Sequence, residues 1–108
     1  MNRFRKTAGW IGVAMLTLLI DHAAVAEDLS AGQKLFTQSA VPACALCHTL
    51  KHAGATGEIG PVLDELKPDA ARVEQAVRNG IGQMPAYGNL TDDQIRLLAK
   101  YVSGVAGK

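Results

Sequence analysis

Tryptophan does not occur after Trp10, cysteine occurs only as Cys44 and Cys47, and beyond Met15 there is one methionine, Met84. Each scarcity removes a class of protein. Two cysteines three apart close too small a loop for a disulfide to stabilise much, so a disulfide framework is excluded. The uncharged, mostly apolar run Ala8–Ile20 has 13 residues and ends at Asp21 and His22, short of the roughly 20 needed to cross a bilayer. Aromatics make up 5% of the chain, and no basic patch interleaves with them, so nucleic acid is not an expected partner. After residue 26 no segment alternates in the manner of a strand, and no internal repeat occurs.

What is present at the N-terminus reads as an export signal. Arg3, Arg5 and Lys6 precede the apolar run, and Ala24-Val25-Ala26 supplies a small-x-small cleavage site. Residues 1–26 are therefore expected to be a signal peptide cleaved after Ala26, with the periplasm as destination. The competing reading is a retained anchor. Cleavage leaves 82 residues, one domain near the lower size limit for building its own core. The 11 Lys and Arg fall to 8 by loss of Arg3, Arg5 and Lys6, and the 10 Asp and Glu fall to 9 by loss of Asp21, a net charge of −1. No membrane insertion of the mature chain is expected.

The informative stretch is Cys44-Ala-Leu-Cys47-His48. On one helical turn both thiols lie on one side and can reach the vinyl groups of one porphyrin. His48 then sits under the ring and can offer a nitrogen to iron. A redox Cys-x-x-Cys needs no following histidine and favours a strand-to-helix junction. Structural zinc needs a fourth ligand. His52 is available, but Cys44, Cys47, His48 and His52 crowd onto barely two turns.

Around this motif the chain reads as helices. Leu29 to Gln38 has Leu29, Gly32, Leu35 and Phe36 at helical spacing, and Val41-Pro42 ends it. Cys44 to about Leu50 is a further helical turn. Three glycines mark Lys51–Gly60 as a loop, with His52 a solvated surface histidine. Pro61 keeps a carbonyl that can accept the Nδ1–H of an iron-bound histidine. Pro68 to Asn79 is a helix stopped by Gly80. Met84 lies in the glycine-flanked loop Gly80–Gly88, away from any apolar helix face, where a thioether could complete His/Met ligation. Thr91 and Gln94 form a capping box for a last helix that carries Ile95, Leu98 and Val102 and ends near Gly104.

In this order the motifs resemble the class I cytochromes c over nearly all of the 82 mature residues. The resemblance rests on Gly32 and Phe36, Cys44-x-x-Cys47-His48, Gly60-Pro61-x-Leu63, Met84-Pro85, and Leu98 with Tyr101. It implies an all-α fold packed around one covalent haem c, with thioethers from Cys44 and Cys47. It implies His48 as proximal iron ligand, the Pro61 carbonyl as its partner and Met84 as distal ligand. It also implies that the helix of Gly32 and Phe36 crosses that of Leu98 and Tyr101. Two departures stand out. No tryptophan is available for a haem propionate, leaving Tyr87, Arg78 or a backbone amide, and there is no lysine-rich face like that of mitochondrial cytochrome c.

At finer grain, Gly60–Asp69 and Asn79–Ala86 are similar to the cytochrome subunit of bacterial sulfite dehydrogenases. That similarity implies a molybdenum subunit as electron donor. The expected function is electron transfer without catalysis by the chain alone, since two filled axial positions leave no site for a substrate. A free shuttle to a terminal oxidase or other reductase is the alternative, as is an open-site haem protein acting on peroxide or sensing a gas. Docking is expected beside Lys51, His52, Gln83, Pro85 and Ala86, with Tyr87 nearby, through a mainly non-ionic patch.

Overall fold

A computed structural model describes residues 11–108, with side chains from His22 onward. The basic residues Arg3, Arg5 and Lys6 and the contrast drawn at Trp10 lie outside the described residues. Helix α1 spans Ile11–Lys34 and passes into one wide turn over Leu35–Ser39, closed by the Ala40 N–H on the Leu35 carbonyl at 3.1 Å. The expected start at Leu29 is thus too late. From Val13 to Ala31 the chain contains neither glycine nor proline, so nothing interrupts the helix at Ala26. Leu35 and Phe36 are both buried, and extended backbone at Ala40 ends the turn just before Pro42.

Helix α2 is the single turn Cys44–Cys47. The expected continuation to Leu50 does not occur, because His48 is already extended at φ −117° and ψ 141°. Thr49–Leu50 (β1) then pairs antiparallel with Ala55–Thr56 (β2), Thr49 opposite Thr56 and Leu50 opposite Ala55. This small hairpin corrects the strand-free expectation; two-residue strands are too short to alternate visibly. Helix α3 is one unanticipated turn, Leu63–Leu66. Helix α4 runs Ala70–Asn79, and its N-cap is Asp69, whose side chain accepts the Arg72 N–H at 2.8 Å. Pro68 therefore precedes the cap and does not begin the helix.

Helix α5, Asp92–Val105, starts at the expected capping box: Thr91 Oγ1 accepts the Gln94 N–H and Gln94 Oε1 accepts the Thr91 N–H. It ends at Val105, one residue past Gly104, and Gly107 beyond it takes φ +78°. Ile95, Leu98, Tyr101, Val102 and Val105 on its inner face are buried. Each such apolar side chain stabilises the fold by roughly 1.5–3 kcal/mol over leaving it in water.

The α1–α5 contact is set by Gly32. A Cβ there would lie 2.3 Å from Tyr101 Cβ, so only glycine lets the helices approach this closely. Phe36 packs on the Tyr101 ring with centroids 6.3 Å apart. His52 is exposed, yet it is not simply solvated: its ring meets Tyr101 edge-on, and Nδ1 lies 2.8 Å from the Tyr101 hydroxyl.

Candidate functional site

Between these elements lies a cavity of about 710 Å³, walled by apolar side chains that include Phe36, Leu63, Val77, Leu98 and Val102. Cys44, Cys47, His48, Pro61 and Met84 all stand on its wall. Residues separated by up to 40 positions are thereby brought to one space.

The thiol side is built by local geometry. One turn of α2 aims both cysteines into the cavity, Cys44 buried and Cys47 half-buried, with no bond between them. Burial pushes the Cys44 thiol up to about 11, so it stays protonated near neutral pH. The extended backbone at His48 then swings the imidazole out of the helical path. Its Nδ1 donates to the Pro61 carbonyl at 2.8 Å. That carbonyl has no hydrogen to give, so Nδ1 carries a proton, and in the neutral ring the lone pair is on Nε2.

Two glycines close around the motif. A Cβ on Gly60 would fall 2.6 Å from His48 Cε1, and one on Gly57 would fall 2.6 Å from the Cys47 carbonyl carbon. The Gly60 N–H bonds the Cys47 carbonyl at 2.6 Å, and Thr49 Oγ1 donates to the Gly57 carbonyl at 2.9 Å. The histidine ring is thus wedged as well as hydrogen-bonded.

The methionine side is a turn. Gly80 ends α4 with φ +71°. Ile81 and Met84 exchange both backbone hydrogen bonds, at 3.0 and 2.9 Å, around Gly82 (φ +56°) and Gln83. The Tyr87 N–H returns to the Val77 carbonyl at 2.8 Å, and its hydroxyl donates to the Pro42 carbonyl at 2.7 Å. Tyr87 is only 6% exposed, and burial raises its hydroxyl to about 12. It is therefore a strap for the loop, which removes it from the docking patch expected of it.

Of the residues expected around the docking patch, Gln83 and Pro85 line the cavity and Lys51 and His52 do not; Ile59 and Ile81 line it too, at 71% and 69% exposure. Arg78 is paired with Asp92 and is not on the cavity wall, and the Tyr87 hydroxyl donates to the Pro42 carbonyl. The cation on the wall is Arg72, with Gln75 and Asn79 on the same helix. Sequence reasoning missed it; its spacing from Gln75 and Asn79 (i, i+3, i+7) was the available signal. Among the described residues no group of three or more His, Cys, Asp or Glu could hold a metal ion, which leaves the zinc reading without a site.

A large apolar slot, two free thiols on one turn and a histidine with its tautomer fixed suit a flat macrocycle tethered through both sulfurs. The fold and cavity define a class I c-type cytochrome. The family model for cytochrome c oxidase, cbb3-type, subunit III matches residues 27–102, and the chain belongs to that family.

It is similar to the cytochrome c6 of Cyanidioschyzon merolae, 36% identical over 92 residues that cover 77% of this chain and 80% of the relative. Cytochrome c6 of Thermosynechococcus vestitus is 33% identical, with 91% of this chain and 88% of that one covered. The crystal structure of the c-type cytochrome SorU from Sinorhizobium meliloti superposes with a TM-score of 0.74 and 58% identity, covering 76% of this chain and 94% of that chain. The protein carries covalent haem c with its iron, and it transfers electrons; it is not an enzyme by itself. Among the described residues no helix is long and apolar enough to cross a membrane.

Proposed function

We propose that this is an exported haem c subunit that takes electrons from a molybdenum-dependent sulfite dehydrogenase. In this reading residues 1–26 are removed on export and residues 27–108 form the cytochrome domain in the periplasm. Cys44 and Cys47 tether the haem, His48 Nε2 and Met84 Sδ bind its iron, and the Pro61 carbonyl orients His48. The observation that carries the assignment is that both thiols, His48 and the mature chain's sole thioether share one apolar cavity. The haem, once bound, supplies a one-electron couple. Around it the protein excludes water with its apolar wall, fixes the proton of His48 on Nδ1, and offers Arg72 as the cation nearest to a propionate. His/Met ligation by these two residues would raise the potential and would leave the iron no site for a substrate.

The similarity of Gly60–Asp69 and Asn79–Ala86 to sulfite dehydrogenase cytochromes supports the partner. The likeness to the c-type cytochrome SorU at 58% identity supports the haem c part of the reading. Ile59, Ile81 and Pro85 at the cavity rim suit a short-range apolar contact, and the net charge of −1 offers little long-range steering.

Met84→Ala tests the site. The low-spin ferric spectrum with its weak long-wavelength sulfur-to-iron band should be lost, the potential should fall, and added ligands should bind. An unchanged spectrum would rule out Met84. The partner is tested by electron transfer from the purified molybdenum subunit at rising ionic strength. The rate should change little, since screening beyond about 10 Å at 0.1 M salt has little charge to remove. A steep fall would favour a charge-steered free shuttle.

A further inference from the structure

The carboxylate of Asp64 makes two hydrogen bonds that the haem site as described does not use. Its Oδ2 accepts the Lys51 N–H at 2.8 Å, and its Oδ1 accepts the Gly107 N–H at 2.9 Å. Lys51 stands three residues beyond His48, and Asp64 stands three beyond Pro61. The His48–Pro61 and Lys51–Asp64 bonds therefore link the same two segments in the same register. Each spans 13 residues, and each is 2.8 Å long.

Pro61 has no N–H to donate, so hydrogen bonds from neighbouring residues anchor this segment. On the N-terminal side the Gly60 N–H is bonded to the Cys47 carbonyl at 2.6 Å. On the C-terminal side the first side-chain tie to the histidine segment is Asp64. A carboxylate accepting backbone N–H groups makes a stronger bond than a neutral acceptor. The second bond reaches the end of α5, where a Cβ on Gly107 would lie 3.0 Å from the Asp64 carbonyl oxygen. The turn that ends the chain is thereby fitted onto the same brace.

We propose that Asp64 is a positioning residue for the proximal histidine: it holds the Pro61 carbonyl on His48 Nδ1–H and couples that bond to the end of α5. The inference rests on His48 as the iron ligand. A firm Nδ1–H···O bond makes the imidazole a better donor, which favours oxidised iron. Slackening it should raise the reduction potential.

The test compares holo-protein variants by NMR and potentiometry. Asp64→Ala removes both acceptors, while Asp64→Glu keeps the charge but displaces it by a methylene. Of the two Asp64 bonds, deletion of Gly107 and Lys108 removes only the second, together with the Lys108 N–H bond to the Val105 carbonyl. Glu65→Gln removes a neighbouring charge that makes neither bond. Solvent exchange of the His48 Nδ1–H should quicken roughly tenfold or more in Asp64→Ala, comparably in Asp64→Glu, and less in the deletion, the scale set by losing a hydrogen bond to a charged acceptor. The potential should rise in Asp64→Ala by more than in Glu65→Gln.

A drop in stability with unchanged His48 exchange, and a potential shift equal to that of Glu65→Gln, would overturn the proposal. Should Asp64→Ala fail to fold, Asp64→Glu and the deletion decide the matter by the same two readings. Absence of haem-shifted His48 ring resonances in the wild type would instead refute the ligand assignment itself.

Discussion

Glycines flank both ligand candidates, and they serve different needs. Gly57 and Gly60 have no room for a side chain, because the Cys47–His48 backbone and the His48 ring fill the space. On the methionine side the glycines take positive φ, +71° at Gly80 and +56° at Gly82, which suits few other residues. Gly82 has open space, while a Cβ on Gly80 would also fall 2.8 Å from the Met84 carbonyl oxygen. The histidine side is thus solved by packing and the methionine side mainly by a turn. A wedged ring has one orientation. A thioether on a four-residue turn, strapped mainly by backbone bonds and the Tyr87 hydroxyl, has more freedom. Of the two sides, the methionine loop should open first.

Four variants would break or sharpen that contrast. Cys44→Ala with Cys47→Ala should abolish stable haem attachment outright. In the wild type, acid-acetone extraction should leave the colour with the protein; colour in the solvent would contradict the thioethers. Gly60→Val forces atoms into the His48 ring, and overpacking of this kind costs about 1–3 kcal/mol. Denaturant unfolding should show that loss, together with a weakened His48 bond in the visible spectrum.

Gly82→Ala meets no atom within 4 Å, so it should cost only the left-handed backbone penalty of about 1–2 kcal/mol, with the His48 side unaffected. If Gly82→Ala disturbs the cofactor as much as Gly60→Val does, the contrast is wrong. Tyr87→Phe removes one hydrogen bond, a loss of about 1 kcal/mol. It also bears on alkaline behaviour. Burial holds the folded-state value at about 12, above the ordinary tyrosine value of about 10. The stability this confers is complete below pH ~10 and is lost as pH rises towards 12. The wild type should lose its sulfur-to-iron band across that window, and Tyr87→Phe should lack the tyrosine-linked step.

The parts of the site that share a short motif were legible in the sequence. Cys44, Cys47 and His48 are adjacent, so local geometry alone brings them together. Thr91 and Gln94 announced their capping box in the same way. Gly32 was legible as a member of a helical face, and its crossing with the helix of Tyr101 followed from the resemblance. The rest depends on contacts across the chain. Burial of Tyr87 follows from Pro42, 45 residues away, and the engagement of His52 follows from Tyr101, 49 residues away. Nothing in the local sequence marks Asp64, because its two backbone partners lie 13 and 43 positions away. One-turn helices such as Leu63–Leu66 and two-residue strands fall below the window in which periodicity can be read.

The meeting of Gly32 with Tyr101 has a kinetic consequence. These residues are 69 positions apart, so their contact closes a loop that holds most of the domain. Closing such a loop costs about 4 kcal/mol of chain entropy beyond a constant term, whereas the turn at Cys44–Cys47 forms locally. The order of events is therefore set by topology: the motif that takes the cofactor can form while the chain is still open, and the first and last helices join after it.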